Sequence, residues 1–380
     1  MKAIQEPGQF SFLNNPIIFT FQTDSDDPML IEVRTLSPGH YLPVTVYPHN
    51  KEVTLDIADI IAPYMSADYY FPEPGSDEDL RTRSSASQYR VIAGDYKFTG
   101  YALPGGVSGR MLRYLNTQGI TMFDYRLLNP FVQFLLTTRT NGSNIRMRRR
   151  ELTTVYFVYP TSGPIIIRSN TGGSYQIWST LGFLVGLNLL RILSAMPEPA
   201  NINQITFYVQ DKESFRITLI DTLSESYHLL RFRNSLGVFE NLELTGRGTK
   251  KPELSENSYL KYDPVVNTLV KARKRETITE TMEIASGYRS AADINFIYDL
   301  LSSDEVYLVV NGMNYPCIVT SDLTQQTRQI TPESVVLRIE MIDSGSNFTP
   351  LDNTEISETI YLVANTEDKI TTQNSNYITL

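Results

Sequence analysis

A chain of 380 residues, 41% hydrophobic and 11% aromatic, has enough apolar material for two or three cores. Its formal net charge of −9 speaks against a general nucleic-acid binder, whose surface would be basic. A single cysteine, Cys317, rules out an intramolecular disulfide framework and any cysteine-based zinc site.

The 23 tyrosines, with recurrent Thr, Ile and Val, favour strands over helices. Gly and Pro spread along the chain punctuate many short elements. The expected fold class is therefore mainly β: several sandwich or barrel modules, the C-terminal one carrying a single packed helix.

Residues 1–100 read as an N-terminal β domain. FSFLNNPIIFTFQ and MLIEVRTL are strands separated by the acidic turn TDSDDP, and YLPVTVYP is a third strand. KEVTLDIADIIAPYM runs from a strand into a short helix, with Asp56 or Asp59 near its start. Residues 73–88 are polar and loop-like, and YRVIAGDYKFTGYAL returns to β pattern. The start, MKAIQEPGQFSF, lacks the apolar run of about 7–15 residues found in a signal peptide, so synthesis and retention in a cytoplasm are expected.

Residues 101–230 read as a second β-rich domain. PGGVSGR (104–110) is a flexible turn: it lacks the GK[ST] ending of a phosphate loop and the GxSxG frame of a nucleophile elbow. ELTTVYFVYP, GPIIIRSN and ITFYVQ are strand runs, and FRITLIDTLSESYHLLRFRNS reads as a hairpin. The most apolar window, 177–196, is interrupted by Ser179, Thr180, Asn188 and Arg191, which favours a core helix or strand pair over a membrane span.

Residues 231–343 read as a β module with one helix. Strand ENLELTG is followed by a basic, Pro-marked turn, GRGTKKP, and then by a long strand, ETITETMEIASG. In RSAADINFIYDLLSSDE, Ser290 and Asp293 have the spacing of a capping box. Ile294, Ile297, Tyr298 and Leu301 recur on one helical face, which is expected to be buried. Asn311-Gly312, between EVYLVV and MNYPCIV, predicts a tight hairpin, because this pair accepts positive φ. SVVLRIEMID closes the module. From residue 344 to 380 the chain is a polar arm whose one strand-like run is TIYLVAN, suited to a neighbour's sheet edge.

Residues that could carry chemistry are sparse. His40, His49 and His228 form neither HExxH nor HxH, so no metal site is expected. TDSDDP lacks the ligand alternation of a calcium loop. Cys317 lies in an apolar strand and reads as a buried structural thiol. No catalytic residue and no cofactor is assigned, and an enzyme is not expected. Two basic runs, RMRRRE and KARKRE, suit an exposed face, contacts to an acidic neighbour, or phosphates. Arg146, Arg148, Arg149, Arg150, Lys271, Arg273, Lys274 and Arg275, with Tyr361 in the C-terminal arm, are the candidate subunit contacts.

The run FRNSLGVFENLELTGR, then ETMEIASGY, then FIYDLLSSDEVYLVVNG, resembles tail-region proteins of tailed phages and prophages of gut Bacteroidota. FSFLNNPIIFTFQ with the later VTLDIADII is similar to the start of the same proteins, so the resemblance spans about two-thirds of the chain. It extends in a general way to tail-tube and distal-tail modules. It implies a virion structural protein of tail, baseplate or neck, located in the virion after synthesis in a host cytoplasm. The implied partners are copies of itself and other virion proteins, with no membrane and no nucleic acid, and the implied mechanism is symmetric assembly. The alternative is a carbohydrate- or receptor-binding β-sandwich using tyrosines as stacking platforms; a hydrolase ranks third.

Overall fold

The computed structural model describes residues 2–36, 39–65, 79–83, 88–120, 135–139, 144–152, 154–159, 163–179, 184–221, 227–254, 258–273, 278–322, 333–342, 370–371 and 377–378. Among these, strand outweighs helix 56% to 15%, so the protein is mainly β and built from several sheets.

The N-terminal part comprises β1 (Lys2–Gln5), β2 (Phe10–Phe12), β3 (Ile18–Gln22), β4 (Met29–Leu36), β5 (Gly39–Val46), β6 (Glu52–Asp56), α1 (Ala58–Ile61), β7 (Leu80–Arg83), β8 (Gln88–Ala93), β9 (Tyr96–Leu103) and α2 (Gly109–Gln118). Sheets β1-β3-β6 and β2-β9-β8-β4-β5 share one core. Alternation explains it: Ile31 and Val33 from β4, Phe19 and Phe21 from β3, and Val91 from β8 are all fully buried. Asp56 closes β6 into α1, its Oδ1 accepting from Ala58 N (3.0 Å) and Ile17 N (2.9 Å).

The middle part comprises β10 (Asn144–Arg148), β11 (Thr154–Val158), β12 (Ile165–Ser169), β13 (Ser174–Ile177), β14 (Leu184–Asn188), α3 (Leu189–Ser194), β15 (Gln204–Val209) and β16 (Lys212–Ile220). Sheet β10-β16-β15-β12-β13 and sheet β11-β14-β7 meet in a second core. The apolar window 177–196 supplies β14 and α3 to it. Two elements depart from expectation. β7 lies in the segment read as loop, yet pairs with β14, so the first part lends a strand to the second. α2 begins inside the Gly-rich segment, N-capped by Ser108 and ended by Gly119 at φ 63°.

The C-terminal part comprises β17 (His228–Arg233), β18 (Phe239–Leu244), β19 (Gly248–Leu254), β20 (Ser258–Asp263), β21 (Thr268–Arg273), β22 (Ile278–Arg289), α4 (Ala291–Leu301), β23 (Val306–Val310), β24 (Met313–Thr320) and β25 (Glu333–Met341). Seven strands form one sheet in the order β18-β17-β23-β24-β25-β22-β19, and α4 packs on it. The reciprocal capping box of Ser290 and Asp293 is present, and the Asn311-Gly312 turn has both residues at positive φ. Ile294 and Ile297 are fully buried, but Tyr298 is 38% exposed and the nearly buried Phe296 and Leu300 complete the face. The helix is thus rotated toward Phe296 relative to the expected stripe.

Two further expectations are corrected. GRGTKKP is not a turn: it opens β19, an edge strand paired with β22, and an edge is where a sheet tolerates Pro252. FRITLIDTLSESYHLLRFRNS is not one hairpin. β16 pairs with β15 and β10, whereas β17 pairs with β18 and β23 in the next sheet. Strand propensity marked both strands correctly but carries no pairing information. Beyond residue 343 the only described pairing is β26 (Ile370–Thr371) with β27 (Tyr377–Ile378); TIYLVAN, with Tyr361, lies outside the described residues, as do Lys274 and Arg275.

Candidate functional site

The three parts meet at a fourth apolar cluster. Phe10, Phe12 and Leu103 come from the first, Tyr156, Val158 and Leu184 from the middle, and Leu236, Val238 and Phe239 from the last. Beside it the backbone itself interlocks. Gly105, at φ 92°, lies so close to the 235–237 turn that a Cβ would sit 2.3 Å from the Leu236 carbonyl carbon. Gly106 N donates to Ser235 O at 2.7 Å. The segment read as a flexible turn is a fitted contact, and glycine is required because no side chain fits.

Next to this contact is a cluster of buried charge. Arg139, Glu151, Glu240, Glu243 and Arg289 are all at most 9% exposed. Arg139 Nη1 donates to Glu151 Oε2 at 2.9 Å, its Nη2 donates to the Asn241 carbonyl, and its guanidinium lies 4.1 Å over the Phe296 ring. Glu151 Oε1 accepts from Glu243 N (2.9 Å), and its Oε2 accepts from Arg148 N (2.9 Å). Arg289 donates to the Glu243 carbonyl; burial is the main cause that brings its pKa down to about 10, with Glu151 opposing. Glu240 accepts from Thr137 Oγ1 (2.6 Å), Thr138 N (3.2 Å) and Asn234 Nδ2 (2.6 Å), with Arg139 Nε 3.4 Å away. Burial raises the Glu240 pKa, against the opposing pull of Arg139. Asp299 of α4 joins the same knot, accepting from Thr138 Oγ1 (2.5 Å) and Ser235 N (3.1 Å).

Within this joint lies a cavity of about 20 Å³ lined by Thr137, Glu151, Thr154 and Glu240 among others, room for about one water. Its carboxylates, Glu151 and Glu240, accept hydrogen bonds from donors within the chain. The arrangement holds three chain segments, 135–139, 148–151 and 234–243, in fixed relation. Among the described residues no group of three or more His, Cys, Asp or Glu is placed to hold a metal ion.

The two basic runs part ways. Arg146 is exposed on β10. Arg148 donates to the Glu243 carbonyl (3.2 Å), and Arg150 reaches Glu243 (3.5 Å) and covers the Tyr227 ring (3.9 Å). Arg149 pairs with Asp221 (2.7 Å) and donates to Ile202 O (2.7 Å). Three of the first run's arginines therefore make contacts within the chain. The second run begins on β21, with Lys271 exposed.

β21 belongs to a feature that the sequence reading missed. Among the described residues β20 and β21 pair only with each other. They form a two-stranded arm, inserted between β19 and β22, with Tyr259, Leu260, Tyr262 and Leu269 at least 51% exposed and Val265 at the tip 90% exposed. The signal was present: YLKYD and TLVKA are strand runs on either side of a Pro-Val-Val-Asn turn. Cys317 is buried on β24, and burial pushes its thiol up to about 12. Among the described residues no helix is long and apolar enough to cross a membrane.

Compared with known proteins, the chain matches no protein-family model and no curated relative.

Proposed function

We propose that this chain is a structural protein that works by symmetric assembly, in the tail, baseplate or neck of a tailed phage or prophage. The observation that carries the reading is the two-stranded arm, which gathers Tyr259, Leu260, Tyr262, Val265 and Leu269, all exposed, on one hairpin. An exposed apolar patch of this kind marks a contact surface. The buried charged joint supports the same reading, because it fixes the parts of the chain as one block. The similarity of the 231–343 runs to tail-region proteins supplies the particle.

The test is mass photometry and negative-stain electron microscopy of the purified chain, with immunogold labelling of induced phage particles. Concentration-dependent oligomers and labelled tails are expected. A chain that stays monomeric at tens of micromolar and labels no particle would refute the reading.

Glycan binding is the second reading, favoured by Trp178, the one tryptophan, which is 59% exposed at the end of β13. A saturable change in tryptophan fluorescence on titration with a polysaccharide panel would move the assignment there.

A further inference from the structure

We infer that the β20–β21 arm docks on a second copy of this chain, through the face that carries Leu260, Tyr262 and Leu269. The inference rests on the assembly reading and adds the surface, the partner and the chemistry of recognition.

The strand register defines the face. Tyr262 is opposite Leu269, and Leu260 is opposite Lys271. Side chains alternate along a strand, so these four project together. Leu260 is 66%, Leu269 58% and Tyr262 54% exposed. An apolar centre with an aromatic ring and a cation at its margin is the composition of a protein–protein contact. The arm is also preformed. Asp263 Oδ1 accepts from Val265 N at 2.8 Å, Tyr262 Oη donates to Asn267 Oδ1, and Asn267 takes the positive φ of 49° that the turn needs. A preordered arm loses little conformational freedom on docking.

Charge selects the partner. The arm carries Lys261, Lys271 and Arg273 against one carboxylate, Asp263, while the chain as a whole is at −9. The remainder is therefore more acidic than the total, and a second copy presents a surface complementary to the arm. The turn holding Asp24, Asp26 and Asp27, all exposed, is one such acidic surface. A nucleic acid would call for a longer basic track than these cations provide.

The experiment is sedimentation velocity of the full chain over a concentration series, in four forms. These are wild type, Leu260→Ser with Leu269→Ser, Lys271→Glu, and a control, Leu190→Ser, at an exposed apolar site away from the arm. Wild type and control should associate alike. Both arm variants should need at least about tenfold more protein to associate, with circular dichroism and melting temperature unchanged. Association of wild type that either arm variant matches would overturn this inference and leave the assembly reading standing. A wild type that stays monomeric would overturn both. If the arm variants lost only co-sedimentation with phosphatidylglycerol vesicles or binding to single-stranded DNA, the surface would belong to those partners and the inference would fail.

Discussion

The joint and the arm reverse the usual distribution of polarity in opposite directions. At the joint, Arg139, Glu151, Glu240 and Glu243 are removed from water; on the arm, Leu260, Tyr262, Val265 and Leu269 face it. At the joint Glu151 and Glu240 each accept several hydrogen bonds and Arg139 donates to both Glu151 and the Asn241 carbonyl, so part of the desolvation is offset by specific bonds. The arm has no such compensation within the described chain. The first is an interface already closed; the second has the composition of one still open.

This contrast can be broken experimentally, and the largest effect belongs to the joint. Arg139→Ala would leave Glu151 and Glu240 buried without their shared cation, and about 3–5 kcal/mol should be lost in urea unfolding. A loss near that of an exposed salt bridge would show that the cluster is solvated. Next is the neighbouring apolar core. Ile297→Ala, at a fully buried position of α4, should cost about 2–4 kcal/mol with an unchanged denaturant slope.

Glu240→Gln comes third, at about 1–3 kcal/mol, because an amide cannot accept from all three donors. It should also alter the pH dependence. A carboxyl whose folded pKa is raised above its ordinary value of 4.5 binds its proton more tightly when folded. Its contribution is full below that value and is lost as pH rises through the folded pKa. The wild type should thus weaken over this window more than E240Q, as read by chemical denaturation from pH 4 upward; identical slopes would assign the titration elsewhere. The smallest effect on stability belongs to the arm: Tyr262→Ser should change it by no more than about 0.5 kcal/mol while weakening association. A large loss of stability would mean that the arm packs on its own body.

What could be read in the sequence divides along the same line. Signals carried by neighbours in the chain were legible: the Ser290/Asp293 capping box, the Ile294/Ile297 spacing and the Asn311-Gly312 turn all appear as expected. α2 was missed, because the glycines of the segment that its cap Ser108 belongs to read as a turn. The joint was not legible, because its bonds link residues as far apart as Thr138 and Glu240. Nothing local in RMRRRE distinguishes arginines that turn inward from those on a solvated face. The arm was readable as a hairpin, but its isolation was not, since propensity does not say whether a strand will find a third partner.

Cys317 has a practical corollary. The chain's sole thiol is buried, and its high pKa keeps it protonated at neutral pH, so it reacts slowly with maleimides and disulfides. A cysteine introduced at Val265 would be the one readily labelled atom on the whole surface. A dye or spin probe at that position would report whatever the hairpin tip touches, against a chemically silent background.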